Sequence, residues 1–125
     1  MEPVVKKKVL SVDDSRTMRD MVSFTLKGAG YEVVEAGDGQ QALSVLAANK
    51  VDLIITDLNM PVMDGLTLIR RVRSSPAHRT LPILMLTTES DERKKTEGRT
   101  AGATGWIVKP FNPEKLISVV KKVCG

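Results

Sequence analysis

The sequence has one cysteine, Cys124, so no internal disulfide framework can staple the fold, and a lone thiol fits a reducing compartment. Aromatic residues make up only 3% of the chain, too few to stack bases along a nucleic-acid strand. No long apolar run follows Met1-Glu2-Pro3 or occurs later, so neither a signal peptide nor a membrane span is expected. Internal repeats, low-complexity tracts and any composition break that would mark a second domain are also lacking. Charge of one sign is only mildly in excess: the net +4 is spread along the chain, and the basic runs Lys6-Lys7-Lys8 and Lys121-Lys122 are short. A solvated surface accounts for that balance better than nucleic-acid binding does. The lone histidine, His78, lies in a Ser-Pro loop and is expected to be solvated rather than a ligand or phosphocarrier. What remains is a domain of 125 residues, 42% hydrophobic and 27% charged, large enough to bury its own core and expected to be cytoplasmic and monomeric.

Within that domain two hydrophobic periods alternate. Residues 8–12 predict a strand that stops at Asp13-Asp14. Ser15 or Asp14 then caps a helix carrying Met18, Met21, Val22 and Leu26 at helical spacing until Gly28 and Gly30. Tyr31 to Ala36 alternates polar and apolar, as a half-covered edge strand does. After the Gly37-Asp38-Gly39 turn, Ala42, Leu43, Leu46 and Ala47 mark a second helix. Leu53, Ile54 and Ile55 form the continuous apolar run of a strand covered on both faces, and it ends in an acid, Asp57. A third helix starts near Asp64 or Gly65, turns Leu66, Ile69 and Val72 inward, and stops before Ser75-Pro76. Pro82 to Thr87 predicts a fourth strand and Gly105 to Val108 a fifth; Asn112-Pro113 then opens a last helix through Leu116, Ile117, Val120 and Val123.

Between the last two strands, Asp91 to Ala101 has almost no apolar face and contains Gly98. A glycine there costs about 1 kcal/mol against alanine, so this is expected to be the least stable and most movable helix. Five unbroken βα units predict an α/β fold. The architecture is a doubly wound five-stranded parallel sheet, flavodoxin-like in its order 2-1-3-4-5, with five helices on its two faces.

Right-handed connections in such a sheet bring the carboxyl ends of strands one and three together, which places Asp13, Asp14 and Asp57 in one pocket. Three crowded carboxylates cannot all stay ionised unpaired, and repulsion raises at least one pKa. A hard divalent cation such as Mg2+, ligated by carboxylates and water, resolves the crowding. The plainer alternative, in which Asp13 and Asp14 merely cap the first helix, leaves an acid over. A carboxylate beside Mg2+ with no dedicated base points to phosphoryl chemistry. An aspartate of ordinary pKa, about 3.9, is already ionised at neutral pH and attacks phosphorus unaided.

Thr87 and Lys109 end the fourth and fifth strands. Alone they read as a helix cap and a surface lysine. Opposite three acids, Thr87 is placed to donate to a phosphoryl oxygen and Lys109 to pair with the same group. Two other activities suit the topology less well. An FMN electron carrier needs a hydroxyl- and glycine-rich loop after strand one and aromatics around the flavin. A phosphatase turning over on Asp57 commonly carries a second acid two residues on, where Asn59 stands, and a larger cap.

Val12-Asp13-Asp14, Asp57 with Met60-Pro61-x-Met63-Asp64-Gly65, Thr87-Thr88 and Gly105-Trp106-Ile107-Val108-Lys109-Pro110-Phe111 together resemble the receiver domain of two-component response regulators. The likeness runs from about Lys7 to Val123 and is greatest to stand-alone chemotaxis regulators. It implies one receiver domain over residues 1–125 with no output domain, and no enzyme activity beyond self-phosphorylation and self-dephosphorylation. Asp57 would be the phosphoacceptor for a histidine kinase. Asp14 would hold Mg2+ directly, Asp57 by its carboxylate, Asn59 by its backbone carbonyl and Asp13 through water. Asn59 and Glu89 would flank the phosphoryl group and set its lifetime, and Lys109-Pro110 would be cis.

The resemblance further implies output through helix four, strand five and helix five. The partner would be a flagellar motor switch protein, or a phosphotransfer protein where the chain serves as a phosphate sink or relay. Trp106 departs from the family's Tyr or Phe at a ring that turns inward as the threonine is drawn to the phosphoryl group. A larger indole with one donor makes that inward state harder to reach, or else simply packs the core. The polar fourth helix is the second departure. Both fall on the partner face.

Overall fold

A computed structural model of the chain describes residues 6–88 and 92–124. Among them, strands and helices alternate: β1 (Lys8–Val12), α1 (Arg16–Gly28), β2 (Glu32–Ala36), α2 (Gly39–Ala48), β3 (Leu53–Asp57), α3 (Gly65–Ser74), β4 (Ile83–Thr88), α4 (Glu92–Ala101), β5 (Gly105–Lys109) and α5 (Pro113–Cys124). A single 3-10 turn, Pro76–His78, precedes β4. The strands pair in parallel in the order β2-β1-β3-β4-β5. The doubly wound, flavodoxin-like expectation therefore holds. Every residue of the central strand β3 is buried, whereas edge strand β2 buries only Ala36.

Period-two alternation sends successive strand side chains to opposite faces. Leu10, Val12, Ile54, Ile83 and Met85 meet Ala42 and Leu46 of α2 and Leu66, Ile69 and Val72 of α3. Val9, Leu53, Ile55, Leu84, Leu86 and Ile107 meet Val22 and Leu26 of α1 and Leu116 and Val120 of α5. Burying the sheet on both sides is why β3 tolerates no polar residue before Thr56. The helices begin where the capping side chains stand: Ser15 Oγ accepts from Met18 N, Asp38 Oδ1 from Gln41 N and Asp64 Oδ1 from Thr67 N. Asn112 Oδ1 accepts from Glu114 N and Lys115 N at the start of α5. Lys109-Pro110 is cis. No helix among the described residues is long and apolar enough to cross a membrane.

Four expectations change. Met21 is not on the core stripe of α1; it is 45% exposed, because the stripe facing the sheet is the narrow series Met18, Val22, Leu26. Ala47 likewise lies outside the buried side of α2. Gly98 is more than a weak point in α4. A methyl group there would overlap the sulfur of Met85, a fully buried β4 residue, so glycine lets the helix lie directly on the sheet. His78 is half-buried, with its carbonyl accepting from Arg73 Nη1 at 2.9 Å.

Candidate functional site

Strand register assembles the site. Val12 pairs with Thr56, so Asp13 and Asp57 emerge side by side from β1 and β3. Asp57 pairs with Leu86, which sets Thr87 one residue further along β4, and Thr88 pairs with Lys109 at the end of β5. All five strands point the same way, so these side chains share the carboxyl edge where open α/β sheets bind ligands. α3 closes one side of that edge. A side chain at Gly65 would overlap the Asp57 carbonyl oxygen and Leu58 Cα, so only glycine lets the helix start this close to the end of β3.

Carboxylate oxygens of Asp13, Asp14 and Asp57 all lie within 4.8 Å of one another. Asp13 and Asp57 are buried and Asp14 is exposed, so the cluster has a floor and a mouth. Lys109 Nζ bridges the two buried acids, 3.1 Å from Asp57 Oδ1 and 3.3 Å from Asp13 Oδ2. Asp57 Oδ1 also accepts from Leu58 N at 2.9 Å, and Asp13 Oδ1 from Ser15 N at 2.9 Å. Arg19 Nη1 donates to the Asp13 carbonyl at 2.6 Å and its Nε pairs with Glu35, which steadies the end of β1 from below.

Burial pushes the Asp13 carboxyl above its ordinary pKa. The Ser15 N–H draws it part of the way back, and the charge of Asp57 adds to the rise. Crowding does raise one acid, as expected, but loss of hydration does more than repulsion. For Lys109, burial works against the charge. The hydrogen bond and charge of Asp57, joined by those of Asp13, outweigh it and hold the ammonium above its ordinary value.

Thr87 is buried at the same edge, and its hydroxyl donates to the Thr88 carbonyl at 3.3 Å. Asn59 is exposed on the loop after β3. Glu89 lies outside the described residues. Trp106, on β5, is half-buried and packs beside the α2–α3 core. Two residues of α4 that sequence reasoning passed over meet its ring: Lys95 Nζ and Arg99 Cζ each lie 5.2 Å from the centroid. The signal was present as cations one helical turn apart ahead of a strand tryptophan. A search for apolar stripes does not detect it.

The donor set at this edge is all-oxygen and anionic, the set that suits Mg2+. Together with the β2-β1-β3-β4-β5 sheet it defines a class: doubly wound domains with an acidic, lysine-closed pocket beside the central strand. The family model of the response regulator receiver domain matches residues 9–121, and the chain belongs to that family. Chemotaxis protein CheY1 of Helicobacter pylori strain 26695 is 43% identical over 120 residues, 94% of this chain and 97% of that protein. The phosphate regulon transcriptional regulatory protein PhoB of Pseudomonas aeruginosa is 39% identical over 120 residues, 96% of this chain, but the chain spans only 52% of PhoB's length. Among solved structures, the chemotaxis response regulator CheY4 of Vibrio cholerae shares 51% identity with a TM-score of 0.90, over 95% of this chain and 99% of that one. Receiver domains are signalling proteins that bind Mg2+ at an acidic pocket, and this chain is CheY-like among them.

Proposed function

We propose that the chain is a phosphorylation-controlled switch of a chemotaxis-type two-component system, with Asp57 as its phosphoacceptor. The observation that carries this reading is the buried Asp57 carboxylate, held beside two further acids and 3.1 Å from Lys109 Nζ. An Asp57 oxygen attacks the phosphorus of a phosphohistidine on a kinase, the P–N bond breaks, and the imidazole leaves with that electron pair. Asp14, the Asp57 carboxylate and the Asn59 backbone carbonyl would hold Mg2+, with Asp13 acting through water. Bound there, the ion supplies charge neutralisation for the transferring oxygens. Lys109 pairs with the incoming phosphoryl group. Thr87 exchanges its backbone acceptor for a phosphoryl oxygen, and Asn59 with Glu89 sets how long the group persists.

The modification adds about −1.5 to −2 charge at the sheet edge. Movement of Thr87 is felt by its β5 neighbour Val108, and through β5 by Trp106 and α4. A partner that prefers the repacked α4–β5–α5 face then stabilises it by linkage. We assign that partner to the flagellar motor switch, in the cytoplasm. What supports a chemotaxis output is the 43% identity to CheY1, itself a chemotaxis protein, over 97% of that protein's length. Incubation with acetyl phosphate and Mg2+, read by intact mass, tests the phosphoacceptor. One added phosphate is expected, and no adduct, or an adduct that persists in Asp57→Asn, overturns the assignment. Capture with and without beryllofluoride tests the output. Activation-dependent binding to a motor component is expected, and binding only to a kinase or phosphotransfer domain favours the sink or relay.

A further inference from the structure

Val62, on the loop from β3 to α3, has φ 69°, a left-handed conformation that is a genuine outlier for a β-branched residue. Met63 N donates to the Pro61 carbonyl at 2.7 Å, closing a three-residue turn around Val62. With positive φ at its centre, that turn has the rarer, strained hand. Its flanks hold it there: Met63 is buried against Gly39, and Gly65 N donates to the Leu58 carbonyl at 2.9 Å across the base of the loop. The fold gains little from the side chain so presented, which is 81% exposed.

Single exposed apolar side chains are ordinary. So is a positive φ at glycine or asparagine. An exposed valine in a strained turn is neither, because a cheaper residue would serve the backbone and a polar one would serve the solvent. Strain of this kind concentrates at ligand clamps and switch sites. The loop leaves the sheet at Asp57 itself, and its exposed stretch of Pro61 and Val62, with half-buried Met60, begins three residues beyond that acid.

We propose that Val62, with Pro61 and Met60, is an apolar rim covered by the phosphohistidine-bearing protein that delivers the phosphoryl group to Asp57. The inference rests on the phosphoacceptor reading above. In-line transfer brings the donor imidazole to Asp57, so the donor's surface must lie over the loop that Asp57 begins. This continuity with the pocket selects the phosphodonor rather than a partner reading the α4 and β5 face. The valine sets which donors dock well and takes no part in the chemistry.

The test compares Val62→Asn, which suits a positive φ and removes the apolar contact, with Val62→Ile, which keeps both strain and contact. Each is assayed for thermal stability, for phosphorylation by acetyl phosphate, and for transfer from a panel of autophosphorylated chemotaxis histidine kinases and phosphotransfer domains. Val62→Asn is expected to melt a few degrees higher and to accept from acetyl phosphate within about twofold of the unmodified chain. From the fastest protein donor it is expected to accept about tenfold more slowly, as losing one buried valine contact implies. Val62→Ile is expected to behave as the unmodified chain in all three assays.

Undiminished protein-donor transfer in Val62→Asn overturns the proposal, and so does an equal fall with acetyl phosphate, which would mean the turn shapes the pocket instead. A Val62→Asn chain no more stable than the original removes the strain argument. An unmodified chain that no protein donor phosphorylates faster than acetyl phosphate does also overturns it, while leaving Asp57 as phosphoacceptor. Only failure with acetyl phosphate in the unmodified chain, or uptake in Asp57→Asn, strikes the reading beneath.

Discussion

Replacing Asp14 by asparagine should make the protein more stable without metal and less stable with it. The oxygens of Asp13, Asp14 and Asp57 lie within 4.8 Å of one another, and the ion pairs of Lys109 go to Asp13 and Asp57. At that separation two like charges repel by about 0.9 kcal/mol in water and about 3.5 kcal/mol at an effective dielectric constant near 20. Asp14 is exposed, and Lys109 offsets part of the repulsion, so the lower end applies. Asp14→Asn should therefore gain about 1 kcal/mol in EDTA. Saturating Mg2+ reverses the order. An ion present at a hundred times its dissociation constant adds about 2.7 kcal/mol to a chain that binds it only when folded, and the variant has lost a proposed direct ligand. Urea unfolding followed by circular dichroism, in EDTA and in Mg2+, gives all four stabilities, and equal slopes confirm that the same surface is exposed. A variant less stable than the original in EDTA refutes the crowding argument. One that retains the full Mg2+ increment refutes Asp14 as a ligand.

Gly98→Ala sets helix propensity against packing. The gain of about 1 kcal/mol from propensity is outweighed by overpacking on Met85, which costs about 1–3 kcal/mol, so urea unfolding should show a net loss of up to about 2 kcal/mol. A net gain would mean α4 lifts from β4 at little cost. Asp64 caps α3, and the Thr67 N–H holds its pKa below the ordinary value. Asp64→Ala should cost about 1 kcal/mol at neutral pH. A folded-state pKa below the unfolded one gives stability that is present above the unfolded value and fades as pH falls through the folded one. The difference between the two chains should then shrink below about pH 4, and a gap that stays constant contradicts the cap. Arg99→Gln removes one of the two cations over Trp106 and should lower stability by about 0.5–1 kcal/mol while shifting tryptophan emission. An unchanged emission spectrum would show that the contact does not form in solution.

The site was legible because its parts sit at the carboxyl ends of strands, where the apolar runs of this chain give way to polar side chains. Leu53 to Ile55 runs into Asp57 and Leu10 to Val12 into Asp13, so the parallel topology alone brings those acids together. Thr87 and Lys109 followed from the same rule applied to β4 and β5. What stayed hidden depends on contacts between faces. Nothing in the α4 sequence says that Gly98 must admit Met85, or that Lys95 and Arg99 stand over Trp106 where an apolar stripe would normally pack. Met21 carries the right chemistry for the core but the wrong angle on α1, a difference of one residue that periodicity alone does not resolve. For Asp13, counting charges anticipated the direction of the shift, while the depth of the pocket supplied most of it.

The Lys109–Asp13 hydrogen bond joins residues 96 positions apart. A ribosome releases both buried acids long before it makes the lysine that neutralises them. Among the described residues β5 is the last strand in chain order and an edge strand in space, so the ammonium reaches the pocket from the margin of the sheet, on the strand made last. A chain cut short before residue 109 carries both acids and lacks the ammonium that pairs with them. The charge balance of the pocket thus depends on the final strand: without β5, Asp13 and Asp57 lose the ammonium that the two share.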